Sequence, residues 1–130
     1  QPEPQHPLEN RPLTKYKLII DDFGGWDLFQ SLLQTLRRIA DRHGSDIATV
    51  ASAAMLNRPA VAAVIVGARN RSHLPRNVAI SELALTPQDL AEIAAIQAEG
   101  NIPEGDTYTL ERDRHGRHGN IIKYNLNAAS

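Results

Sequence analysis

The chain has 130 residues, of which 42% are apolar, and this size fits one ordinary domain. Its formal net charge of −1 gives no general attraction to nucleic acid or to an anionic membrane. The absence of cysteine excludes disulfides, thiol catalysis and cysteine metal sites. No apolar run is long enough to cross a bilayer, and the first residues do not have the pattern of a secretory signal. These features favour a cytoplasmic protein with neither nucleic acid nor a membrane as partner.

The chain begins with a polar, proline-rich stretch, residues 1–12, which predicts an extended arm. Residues 16–20 are mostly apolar and fit either a short strand or an apolar loop. Further on, apolar stripes and capping residues predict four helices. They run from Trp26 to His43, from Ser45 or Asp46 to Arg58, from Asn70 or Ser72 onward, and from Thr86 to Glu99.

The most informative segment is the apolar run Val61–Val66, which is followed by Gly67. Six apolar residues without polar alternation are typical of a strand that is buried on both faces in a parallel sheet. A turn from such a strand into a helix leaves backbone N–H groups unpaired, and folds of this kind hold phosphate there. Arg69 adds a charged donor fork suited to phosphate oxygens. The alternative is that Gly67 is only a turn glycine and Arg69 a solvated charge.

A strand that is buried on both faces needs two paired neighbours and a helical cover. No other segment of the sequence predicts two parallel partners for Val61–Val66. The pattern therefore predicts the last βα unit of a larger α/β barrel, mostly helical and with one buried strand. The alternative is a small helical domain in which this segment is not a strand.

The residues Ile65–Asn70, followed by His73-Leu74 and Asn77, resemble the last strand and the cofactor-binding loop of aldo-keto reductases. Further similar blocks cover nearly the whole chain and are found at residues 23–30, 83–90, 105–114 and 118–125. The resemblance implies the C-terminal fragment of a (β/α)8 TIM barrel. Residues 1–12 would be the arm, residues 13–100 the last part of the barrel, and residues 101–130 a C-terminal tail.

The same resemblance implies which residues contact a nicotinamide cofactor. The cofactor-binding positions that it assigns are Gly67, Ala68, Arg69, His73, Arg76 and Asn77. The first three would line the 2′-phosphate and ribose, and Arg69 would favour NADP over NAD. His73 stands where many relatives have Gln, with an exposed helix residue as the alternative, and Asn77 stands where an Asn contacts adenine. Arg76 departs from the family, because an acidic residue is common there.

The implied function is that of the cofactor-binding part of an NADP-dependent carbonyl or alcohol oxidoreductase. The family's catalytic Asp, Tyr, Lys and His have no matching motif in this chain, so the sequence predicts no catalytic residue and no activity for the chain alone. The implied partners are the cofactor, a small carbonyl substrate in the intact protein, and the remainder of the barrel. The alternative function is a non-catalytic nucleotide-binding or interaction module that reuses the scaffold.

The tail offers two weaker candidates for chemistry. His115 and His118 have the residue type of metal ligands, but two histidines in a glycine-rich segment rarely form a site. Tyr124 is adjacent to Lys123, but neighbouring residues of an extended chain point apart. The sequence therefore predicts no metal site, and a solvated tail that packs against a missing part of the barrel.

Overall fold

In the computed structural model, residues 2–5, 8, 10–102 and 107–121 are described, without the side chains of residues 11 and 107. The family-like blocks at residues 105–114 and 118–125 lie partly outside this range, and Lys123 and Tyr124 lie outside it. The chain divides into two compact units, one of residues 1–29 and 100–130 and one of residues 30–99. The helices are α1 (Arg11–Phe23), α2 (Trp26–Arg42), α3 (Ile47–Leu56), a 3-10 turn (Arg71–His73), α4 (Leu74–Glu82), α5 (Pro87–Ala98) and α6 (Thr107–Arg112).

In the first unit, α1 replaces the strand or loop that the sequence predicts at residues 16–20. The helix begins because the Asn10 side chain accepts a hydrogen bond from the backbone N–H of Leu13 at 3.1 Å. Pro12 lies in the first turn, where a missing N–H removes no hydrogen bond. α1 ends at Gly24, whose φ of 145° is a conformation that other residues rarely adopt. The prediction of a strand or loop was wrong because it overlooked this local cap.

The described part of the tail packs against α1 and is not freely solvated. His118 is buried, and its Nε2 lies 2.5 Å from a carboxylate oxygen of Asp22. The Arg117 guanidinium donates to the other oxygen of Asp22 at 2.9 Å. Among the residues that the structure describes, no group of three His, Cys, Asp or Glu could hold a metal ion. The charges of this tail therefore serve to attach it to α1.

The second unit has a core formed by α2, α3 and α5, and the predictions of these three helices are confirmed. Asp46 caps α3, accepting from the backbone N–H of Thr49 at 3.0 Å. Thr86 and Asp89 form a reciprocal capping box at the start of α5. The buried apolar residues of the core are Leu36, Ile39, Ala40, Val50 and Ile93.

The predicted strand at Val61–Val66 is wrong, and so is the barrel inferred from it. The segment has irregular backbone, begins after Ala60 with a φ of 66°, and leaves the Ile65 side chain fully exposed. The described residues contain no strand, sheet or barrel. A strand exists only where a second strand completes its hydrogen bonds, and an apolar run by itself does not provide one. Over this part of the chain the helical alternative describes the structure.

Within the described ranges, no helix is both long enough and apolar enough to cross a bilayer.

Candidate functional site

A cavity of about 340 Å³ lies in the second unit between α3, the segment after Val64, and α4. It brings together four of the six residues that the sequence assigns to a cofactor, namely Gly67, His73, Arg76 and Asn77. α4 presents its residues here because it packs against α3. The remaining lining residues are Ala48, Thr49, Ser52, Ile65, Val66 and Ile80.

Hydrogen bonds hold the segment from Gly67 to the start of α4 in place. The Asn77 side-chain amide donates to the backbone carbonyl of Gly67 at 3.3 Å. Asn70 caps the 3-10 turn, accepting from the backbone N–H of Ser72 at 3.0 Å and from the Ser72 hydroxyl. The predicted helix start at Asn70 is thus confirmed as a 3-10 turn that leads into α4. Asn77 has a structural task in this arrangement besides any contact with a ligand.

The charge of the cavity comes mainly from Arg76, which forms an ion pair with Asp46. The Arg76 Nε lies 3.1 Å from Asp46 Oδ2. Burial by itself would raise the pKa of Asp46, but hydrogen bonds donated by Thr49 and the nearby charge of Arg76 lower that pKa below its usual value. Asp46 is therefore a carboxylate that both caps α3 and holds a cation of the cavity.

Gly67 leaves open space beside the cavity. A Cβ atom built on Gly67 would meet no atom within 4 Å, and its φ does not lie in the left-handed region. The backbone does not need a glycine at this position, and the missing side chain leaves room for a ligand to approach the chain closely.

The two other predicted site residues, Ala68 and Arg69, are exposed and do not line the cavity. Arg69 has no ion pair or hydrogen bond of its side chain with any residue that the structure describes. Its guanidinium remains accessible to an anion that approaches from solvent.

The sequence does not single out Asp46, Thr49 and Ser52 as members of this site. They follow each other at intervals of three residues along the start of α3, so they share one face of that helix. The spacing is visible in the sequence, but the packing of α3 on α4 that turns this face toward the cavity is not.

The two described tyrosines, Tyr16 and Tyr108, are both largely exposed to solvent. Tyr16 is 63% exposed and Tyr108 is 65% exposed, and the guanidinium of Arg112 lies 5.6 Å from the centre of the Tyr108 ring. Both side chains lie on the surface of the first unit.

A family model described as "Aldo/keto reductase family" matches residues 1–98, which is about three quarters of the chain. No curated protein and no solved structure matches this chain.

Proposed function

This chain belongs to the aldo/keto reductase family, whose members are oxidoreductases, and we propose that it binds the adenosine-phosphate end of NADP. Gly67, Ala68, Arg69, His73, Arg76 and Asn77 would contact the cofactor. The protein of which this site is part would be an NADP-dependent reductase of small carbonyl compounds.

The cavity between α3 and α4 is the observation that carries this proposal. It is lined by four residues of the Gly67–Asn77 segment that the resemblance to the family assigns to a cofactor from the sequence alone. Its volume of about 340 Å³ lies near the lower end of the range for ligand pockets, which suits part of a dinucleotide better than a whole one.

The charge of this segment also supports an anionic ligand. Arg69 and Arg76 lie within eight residues of each other, and among the described residues Asp46 is the one carboxylate in contact with either of them. A phosphate is the anion that such arginine forks bind well.

The roles of the residues follow from their donors and acceptors. When bound, the cofactor supplies the hydride chemistry. Arg69 and Arg76 would donate to phosphate oxygens, Gly67 would allow close approach of the ribose, and Asn77 would keep the Gly67 carbonyl in place while facing the adenine. His73 lines the same cavity from the end of the 3-10 turn and would border the ligand.

The second candidate function is a non-catalytic nucleotide-binding module. It is favoured by the sequence, in which no motif supplies the family's Asp, Tyr, Lys and His. Both candidates use the same cavity, and they differ only in whether hydride transfer follows binding.

A Gly67→Val variant tests whether the cavity binds the cofactor. The position has open space and a φ available to any residue, so we expect the variant to fold normally while its side chain blocks the ligand. NADPH and NADH should both bind about tenfold or more weakly in a fluorescence titration. Ala84→Val, at an exposed position before α5, is the matched control and should bind like the wild type. Unchanged binding in Gly67→Val would refute the proposed site.

The preference for NADP is tested separately with Arg69→Ala. Charge-assisted hydrogen bonds to the 2′-phosphate are worth roughly 1.5–3 kcal/mol each, and NADH cannot form them. The variant should therefore lose more affinity for NADPH than for NADH at a fixed salt concentration. Equal losses would mean that Arg69 does not contact the phosphate.

A further inference from the structure

We propose that Arg76, oriented by Asp46, acts from inside the cavity, in addition to Arg69, to distinguish NADP from NAD. The inference rests on the proposed function and assigns a specific role to a position where the sequence departs from its family. Arg76 lines the cavity, whereas Arg69 and Arg71 do not.

The contact between Arg76 and Asp46 leaves most of the guanidinium available. Only the Nε of Arg76 is paired, at 3.1 Å from Asp46 Oδ2. A guanidinium has five N–H donors, so four remain on the two terminal nitrogens. Within the described part of the chain these nitrogens form no hydrogen bond or ion pair. Two parallel donors of this kind match two oxygens of a phosphate monoester.

Asp46 is itself fixed, so it can fix Arg76. Its Oδ1 accepts from the backbone N–H of Thr49 at 3.0 Å, and its Oδ2 accepts from the Thr49 hydroxyl at 3.1 Å. Thr49 is fully buried, so this carboxylate is attached to a rigid part of α3. A half-exposed arginine otherwise occupies many rotamers, and the ordering cost of binding falls when a neighbour selects one of them. Asp46 is thus a positioning residue for Arg76.

Two substitutions separate the roles of these side chains. Arg76→Gln removes the fork. Asp46→Asn keeps a good N-cap for α3 but replaces one oxygen by an NH₂ group, which cannot accept from Arg76 Nε. Arg71→Gln removes the same charge from an exposed residue outside the cavity and is the matched control.

The readout is the ratio of the dissociation constants of NADH and NADPH, measured by titration of each variant at one salt concentration. We expect Arg76→Gln to lower this ratio about tenfold and Asp46→Asn about threefold, with Arg71→Gln within about twofold of wild type. A merely structural defect would weaken both cofactors alike and leave the ratio unchanged. Inorganic phosphate, titrated as a competitor, should also lose affinity in Arg76→Gln.

The outcomes distinguish this inference from the proposed function. If the wild type binds neither cofactor saturably, the proposed function fails. If the wild type prefers NADPH and Arg76→Gln keeps that preference, the role of Arg76 is refuted while the site stands. If Asp46→Asn binds NADPH as tightly as the wild type, or more tightly, Asp46 does not position Arg76, and that part of the inference is overturned.

Discussion

Removing the carboxylate of Asp89 should destabilise the second unit more than any other single charge change there. Asp89 is only 2% exposed. It accepts from Arg42 Nη2 at 2.5 Å and from the Thr86 backbone and hydroxyl at 2.8 Å, and it contacts His43 Nε2 at 2.7 Å. These contacts join the end of α2 to the start of α5.

The magnitude of the effect follows from two losses. Asp89→Asn weakens the capping box, at a cost of about 1 kcal/mol. It also removes the buried carboxylate that accepts from Arg42 and contacts His43, which costs about 1–2 kcal/mol, since the partly exposed Arg42 side chain regains water. The free energy of unfolding should fall by about 2–3 kcal/mol, which corresponds to a fall in Tm of about 10 °C.

The effect should depend on pH with a predictable sign. Burial would raise the pKa of Asp89, but the hydrogen bonds from Arg42, His43 and Thr86 lower it far below its usual value of 3.8. The stabilisation is therefore complete above pH 3.8 and is lost as the pH falls toward the pKa of the folded state. Between pH 7 and pH 3, the difference between the wild type and Asp89→Asn should shrink by about 1 kcal/mol.

Urea unfolding followed by circular dichroism at pH 7 and pH 3 measures both quantities. Asp41→Asn is the control, because its ion pair with Arg37, at 2.8 Å, is exposed and such pairs contribute under about 1 kcal/mol. If Asp89→Asn were no more destabilising than Asp41→Asn, or if its effect were the same at both pH values, the reasoning would be wrong.

Three further predictions concern other parts of the chain. Gly100→Ala should lower Tm by several degrees in a thermal melt, because its Cβ would lie 2.7 Å from the Phe23 carbonyl oxygen; an unchanged Tm would contradict this. Ile65→Lys should improve solubility without changing Tm, since the Ile65 side chain is fully exposed, and a lower Tm would show that it packs. The 130-residue chain should oxidise no NADPH with simple aldehydes above the buffer blank; turnover at ordinary enzyme rates would refute the sequence-based prediction that the chain alone is inactive.

The helices α2, α3 and α5 were predictable because their signals are local, whereas the equally local cap of α1 was overlooked. The apolar stripe of α2, the Asp46 cap of α3 and the Thr86 capping box of α5 each lie within a few residues of the helix they define. The prediction of a strand was wrong because the evidence for it was local, whereas a strand needs hydrogen bonds with a partner strand from another part of the chain. Six apolar residues at Val61–Val66 show low polarity, but only a partner strand elsewhere makes such a run a strand.

Part of the candidate site was likewise predictable from local sequence, and part was not. Gly67, His73 and Asn77 lie close together in the sequence, so a motif was enough to group them. Asp46 is thirty residues before Arg76, and only the packing of α3 on α4 brings the two side chains into contact. Sequence patterns therefore identified the segment that forms one wall of the cavity and missed the helix that forms the other.

The central claim, that the cavity between α3 and α4 binds NADP, is tested most directly by titrating NADPH into the ¹⁵N-labelled chain and following backbone amide shifts. We expect saturable shifts confined to residues 67–77 and to the facing residues 46–52, with weaker shifts for NADH. Shifts that do not saturate, or that lie mainly on α1, α5 or the tail, would contradict it.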